Sequence, residues 1–148
     1  MGVATTDEIE ATVRAYLQGN TAEFKERLAS LGKERDVLAA YKAMVIAAFL
    51  RAVPQMFSKD SPRDEVIEYV AGIRSRADSL VDTIDPTAAE RMITSVFTGE
   101  STRDIDSNMK VNIQLLFATA IVNDKGMEGR LFEDFMASTR KLANELLS

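Results

Sequence analysis

Apolar residues recur along this chain with the 3.6-residue period of an α-helix, and no alternating strand pattern competes with it. The strongest pattern runs from Val37 to Phe57, where apolar side chains cover so much of the helix that neighbours must pack on several sides. Pro54 is expected to kink this helix near its end. We therefore predict an all-α, single-domain bundle (residues 1–148) of six or seven helices around a central apolar helix, about residues 33–57.

Glycines, prolines and capping residues mark the expected ends of the other helices. Thr5 opens a capping box at the start of the first helix, and Asn20 is expected to cap the second. Ser61-Pro62 and Asp85-Pro86 each place a capping side chain directly before a proline, which suits the first turn of a helix. The fourth helix carries an apolar stripe at Val66, Val70, Ile73, Ala77, Leu80 and Ile84.

The two helices nearest the C-terminus have apolar faces that extend over many turns. In the sixth helix the apolar positions are Ile105, Met109, Ile113, Leu116, Phe117, Ala120 and Ile121. In the last helix they are Leu131, Phe132, Phe135, Met136, Leu142, Leu146 and Leu147. These two helices are expected to keep apolar surface after the core has formed, which favours a helix-pair interface in a homodimer.

The composition excludes several kinds of chemistry, because the chain has no cysteine and no histidine. Disulfides, thiolate or imidazole metal ligands, Cys and His nucleophiles and a Ser-His-Asp triad are therefore impossible. Asp104, Asp106 and Asn108 have the alternation that opens a calcium loop, but Met109 and Leu115 occupy the positions that need glycine and glutamate. We expect no metal site, no cofactor and no enzymatic activity.

The charge distribution argues against nucleic acid as a partner. The net charge is −5, from 18 Lys+Arg and 23 Asp+Glu, and residues 61–106 hold the whole surplus with ten acidic and five basic side chains. Solubility explains such an acidic surface, although a basic partner would also be attracted to it. Lys42, Arg51 and Pro54 interrupt the most apolar segment, so we expect no membrane span and, without a visible secretory signal, a cytoplasmic protein.

Polar residues on apolar helix faces are the candidate ligand or interface positions. In the sixth helix Asn108, Asn112 and Thr119 fall within or beside the predicted stripe. Such a row can line a cavity, bond to another helix or fix the register of a dimer, because a buried amide needs hydrogen-bond partners. Arg51 and Arg74 also lie on or beside apolar faces, where arginine usually rests its stem on apolar surface and keeps its head in water.

Three functional hypotheses follow from these patterns. The first is a non-catalytic protein-interaction or regulatory module that uses its helix faces and binds a second copy or another protein. The alternative is a small-molecule-binding domain with an apolar pocket between the third and sixth helices, gated by Asn112 and Thr119. A third and weaker hypothesis is an enzyme that uses only Asp, Glu, Arg, Lys or Tyr together with a divalent metal.

Overall fold

The computed structural model describes residues 6–76 and 84–148, and within these ranges the chain forms seven helices and no strand. The helices are α1 (Thr6–Leu17), α2 (Thr21–Leu31), α3 (Arg35–Met56), α4 (Arg63–Arg76), α5 (Pro86–Thr98), α6 (Ser107–Asp124) and α7 (Arg130–Leu147). The predicted all-α fold with a central apolar helix is confirmed. The capping residue predicted at Thr5 and the stripe positions Ala77 and Leu80 lie outside the described residues.

Helix α3 lies at the centre of the bundle. It packs mainly against α6 and α7, and it also contacts α1 and α5. Ala47, Ala48 and Ala52 are completely buried, and their small side chains allow the neighbouring helices to approach α3 closely. As predicted, α3 contains Pro54 and ends beside Phe57, whose N–H donates a hydrogen bond to the Val53 carbonyl oxygen at 2.9 Å.

By length and composition alone, α3 would suffice to cross a membrane, so the expectation that its sequence rules out a span was too strong. The core helix of a soluble bundle meets the same two criteria. Of the most apolar 18-residue stretch of α3, 56% is buried within the fold. Its packing against α6 and α7, rather than its three interrupting residues, is therefore what identifies it as a core helix.

The face that α6 turns to the core matches the predicted stripe only in part. Ile113, Phe117 and Ile121 of the predicted stripe are buried, whereas Met109 and Leu116 are only partly buried. Gln114 and Ala118, which lie outside the stripe, are buried as well. Apolar residues surround most of this helix, so the sequence pattern contains little information about which side faces inward. The actual core face is rotated around the helix axis toward Gln114 and Ala118.

Two of the helix starts are capped by aspartate side chains. The Asp85 carboxylate accepts a hydrogen bond from the Ala88 N–H at 2.9 Å, as predicted, and Asp106 accepts from the Asn108 and Met109 N–H groups. Asn20 precedes α2 but makes no side-chain capping bond, because its amide donates to the Glu23 carboxylate instead. The predicted cap at Asn20 is therefore wrong in its chemistry.

Polar and aromatic contacts add to the buried apolar side chains that attach the α4–α5 pair to the rest of the bundle. Tyr69 donates a hydrogen bond from its hydroxyl to Asp124 at 2.9 Å, and its ring lies 5.5 Å from that of Phe57. Arg76 donates two further hydrogen bonds to the same carboxylate. Donation by Arg76 is the main cause of the lowered pKa of Asp124, so this carboxylate stays charged in mildly acidic solution.

Candidate functional site

The most distinctive polar environment in the molecule is a groove between the C-terminal half of α3 and the N-terminal half of α7, called here the α3–α7 groove. It encloses about 390 Å³. The residues that line it are Leu50, Arg51, Pro54, Gln55, Met127, Leu131, Asp134, Phe135 and Ser138. Apolar and polar side chains share this surface, and the charged groups in it are one arginine and one aspartate.

Arg51 lies in this groove without a partner. Its Nε atom is buried and has no hydrogen bond, and the side chain makes no ion pair within residues 6–76 and 84–148. A buried donor that is left unpaired costs about 1–3 kcal/mol, and more when it is charged. Arg51 was predicted as a candidate site residue, and the groove is the feature that makes it unusual.

The walls of the groove include large apolar groups that the fold leaves open. Leu131 is 61% exposed, whereas Phe135 one turn later is buried and packs toward the core. A sharp turn at Gly129, which has a left-handed φ of 57°, precedes Leu131 and begins α7. The groove is thus bounded by an exposed leucine at one end and a buried aromatic side chain at its base.

The flank of α7 that faces α1 is fully occupied by ion pairs. Arg14 of α1 donates to both Glu133 carboxylate oxygens, at 2.6 and 3.0 Å, and its guanidinium lies 5.4 Å from the centre of the Phe132 ring. These hydrogen bonds raise the pKa of Arg14 and lower that of Glu133. Arg140 is paired with Asp7 at 2.7 Å. Charged residues on this side of α7 therefore have partners within the chain.

The other flank of α7, next to the α3–α7 groove, is different. Asp134, Lys141 and Glu145 are exposed, and none of them has an ion pair in the part of the chain that the structure describes. Two of the five exposed large apolar side chains among the described residues, Leu131 and Leu146, also lie on this side of α7. This flank combines exposed leucines with charges that the fold does not neutralise.

The other predicted site residues do not gather at the groove. Asn108 and Asn112 are exposed on the outer side of α6, and Thr119 donates its hydroxyl to the Leu115 carbonyl oxygen at 2.7 Å. Arg74 donates from Nε to the Ile84 carbonyl oxygen at 3.2 Å, which links α4 to the start of α5. Their proposed role in binding stays a prediction. Of the five candidate residues, only Arg51 lines the α3–α7 groove.

The small-molecule hypothesis expected a pocket between the third and sixth helices, beside Asn112 and Thr119. The side of α6 that packs in the bundle carries Ile113, Phe117 and Ile121, all completely buried, while Asn112 is exposed. A cleft of about 300 Å³ lies instead beside α5 and the start of α4. Its apolar floor includes Phe57, Val66, Ile93 and Phe97, and its rim carries side chains of both charges and several hydroxyl groups.

Three buried polar residues were missed by the sequence reasoning: Thr12, Gln114 and Thr139. The Thr12 hydroxyl donates to the Glu8 carbonyl oxygen at 2.8 Å, whereas the Thr139 hydroxyl is buried without a partner. Their periodic position on otherwise apolar faces was a usable signal for Thr12 and Thr139, because both fall in register with apolar neighbours. Neither residue lines the α3–α7 groove.

Residues 6–76 and 84–148 contain no group of three or more Asp and Glu side chains placed to hold a metal ion. Among the tyrosines, burial raises the pKa of Tyr41 to about 12, which keeps its hydroxyl protonated at neutral pH. The chain matches no protein-family model, and no curated protein or solved structure is detectably similar to it. Its function therefore has to be argued from its own residues.

Proposed function

We propose that this protein is a non-catalytic interaction module that binds an amphipathic helix in the α3–α7 groove. The observation that carries the proposal is the buried and unpartnered guanidinium nitrogen of Arg51 in a groove that also exposes large apolar side chains. A helix that brings both apolar side chains and a carboxylate would cover Leu131 and give Arg51 its missing acceptor.

The shape of the surface supports a helix as the occupant. The groove side of α7 presents Leu131, Phe135, Ser138, Leu142 and Leu146, at spacings of four, three, four and four residues. Such spacings are close to the heptad pattern by which one helix packs lengthwise against another. Ser138 is small enough, in the middle of this row, to let a second helix approach closely.

The proposal can be tested without knowing the natural partner. A displayed library of amphipathic helices, varied at apolar and charged positions, is selected on the full-length protein. We expect the enriched helices to carry an acidic residue within their apolar face. Their affinity should fall at least about tenfold for Leu131→Asp and for Arg51→Glu, since each removes a side chain that the bound helix would contact.

Leu38→Asp is the matched control, because Leu38 is also an exposed leucine but does not line the groove. It should leave the affinity of the selected helices unchanged. The proposal is contradicted if no helix is enriched, or if the enriched helices bind the Leu131→Asp variant as tightly as the original chain. Circular dichroism of each variant checks that the fold is retained.

A second candidate function is favoured by the cleft beside α5, which has an apolar floor of Phe57, Ile93 and Phe97. We propose it as a site for a small apolar molecule, in place of the pocket expected between the third and sixth helices. The uncharged dye N-phenyl-1-naphthylamine should brighten on binding there, and Thr94→Trp, which fills the cleft, should abolish the signal. Thr21→Trp on the exposed start of α2 is the control, and an equal signal from both variants would argue against this site.

A further inference from the structure

We propose that the helix bound in the α3–α7 groove is α7 of a second copy, arranged antiparallel about a two-fold axis near Ser138, with Arg51 paired to Glu145 of that copy. This inference rests on the proposed function and adds the identity and orientation of the partner. It makes the protein a symmetric homodimer in which each chain supplies both a groove and a helix.

The spacing of residues on either side of Ser138 brings a leucine at the start of one α7 against the end of α7 in the other chain. Leu131 precedes Ser138 by seven residues, and Glu145 follows it by seven, with Leu146 next to it. In an antiparallel pair centred on Ser138, Leu131 of one chain therefore meets Glu145 and Leu146 of the other. Both exposed ends of the helix are covered by the same contact, which occurs twice because of the two-fold axis.

Charges on this flank of α7 are complementary to themselves under the same symmetry. Asp134 lies four residues before Ser138, so it faces Leu142 of the second copy and lies beside Lys141, a side chain of opposite charge. Glu145 is brought to the end of the groove that contains Arg51 and Leu131. Four charged residues on α7 lack an ion pair in the described chain, namely Arg130, Asp134, Lys141 and Glu145. The last three, together with Arg51, thus form two oppositely charged pairs per groove.

The flank of α7 that faces α1 differs from the groove flank, because its charged residues are already paired. There Glu133 and Arg140 are both satisfied by residues of α1, so that side of the helix has no need of a second chain. Helix α7 has 18 residues and is about 27 Å long, which gives a contact along several turns rather than a single point. The antiparallel arrangement also places each helix N-terminus beside the C-terminus of its partner, where the macrodipoles attract.

A reciprocal charge exchange tests the specific pairing. Sedimentation equilibrium of the full-length chain should give a dimer, and Arg51→Glu or Glu145→Arg alone should raise its dissociation constant about tenfold or more by placing like charges together. The double variant Arg51→Glu/Glu145→Arg should recover dimerisation. Arg103→Glu and Glu100→Arg, exposed residues away from the groove, are the matched controls and should leave the dissociation constant unchanged.

A disulfide test locates the symmetry axis independently of charge. The chain has no cysteine, so Ser138→Cys introduces a single thiol at the proposed axis. Mild oxidation should link two chains rapidly, because a disulfide needs Cβ atoms about 3.8 Å apart. Ser30→Cys on α2 is the control and should cross-link slowly.

The outcomes separate this inference from the broader proposal. A chain that sediments as a monomer up to about 1 mM overturns the homodimer, and a charge-exchanged double variant that stays monomeric overturns the Arg51–Glu145 pairing. Slow cross-linking at Ser138→Cys overturns the position of the axis. In each case selection of groove-dependent helices from a library would leave the helix-binding function standing with a different partner.

Discussion

At the scale of single residues, two threonines illustrate how one hydrogen bond changes the role of a buried hydroxyl. Thr12 and Thr139 are both completely buried on helices. The hydroxyl of Thr12 donates to the Glu8 carbonyl oxygen, whereas that of Thr139 has no partner. Since desolvating an unpaired hydroxyl is unfavourable, Thr139 is a place where the fold is less stable than its packing allows.

We predict that Thr139→Val stabilises the protein by about 1 kcal/mol and raises the Tm by roughly 2–4 °C, because valine has the same shape and no unpaired hydroxyl. Thr12→Val is the matched control, and it should give no gain because it removes a hydrogen bond that is made. Thermal unfolding followed by circular dichroism measures both. Equal shifts for the two variants would show that the missing partner of Thr139 is not what limits stability.

The ion pair between Asp104 and Arg91 is a single-residue contact whose strength depends on pH. Two hydrogen bonds from Arg91, at 2.7 and 2.9 Å, lower the pKa of Asp104 from 3.8 to about 2. A carboxylate whose pKa is lowered in the folded state stabilises the protein above its unfolded pKa and loses that contribution as protons bind. The contact should therefore weaken as the pH falls from about 4 to about 2.

The prediction is checked by following the Asp104 carboxyl carbon by NMR during an acid titration. Its midpoint should lie near 2 in the original chain and should move up toward 3.8 in Arg91→Gln. Arg103→Gln is the control, since Arg103 is a neighbouring exposed arginine that makes no ion pair in the described chain. A midpoint that stays low in Arg91→Gln would assign the pKa shift to another group.

At the scale of helices, Asp85 and Asn20 are both predicted caps, but only Asp85 makes the capping hydrogen bond. We predict that Asp85→Ala lowers the free energy of unfolding by about 1 kcal/mol, because the Ala88 N–H loses its acceptor. Asn20→Ala should cost at most a few tenths of a kcal/mol, since only an exposed contact with Glu23 is lost. Urea denaturation measures both, and a larger loss for Asn20→Ala would contradict the cap assignment.

The periodicity of apolar residues predicted the helices well where the local sequence pattern was unambiguous. Helix α3 and the start of α5 at Asp85-Pro86 follow from the spacing of apolar residues and from cap chemistry, both of which are local. The orientation of α6 followed only in part, because apolar residues occur around most of its circumference. The lack of a hydrogen-bond partner for Arg51 could not be predicted from the sequence either, since it depends on which side chains α7 brings next to α3.

At the scale of the whole molecule, the seven described helices fall into a tightly packed body and a less firmly attached pair. Helices α3, α6 and α7 share the most extensive contacts, and α1 and α2 pack onto them through α1. By contrast, α4 packs chiefly against α5, and α5 touches α3 over a small area. The Tyr69–Asp124 hydrogen bond is one of the ties between this pair and α6.

We therefore predict that amide hydrogens of α4 and α5 exchange before those of α3, α6 and α7, because the pair can detach while the central body stays folded. Tyr69→Phe should destabilise the attached state by about 0.5–1.5 kcal/mol and speed exchange in α4 and α5 roughly two- to tenfold. Exchange in α3 should not change. Tyr16→Phe, which alters a tyrosine on α1, is the control, and uniform acceleration across all helices in Tyr69→Phe would mean that the bundle opens as a single unit.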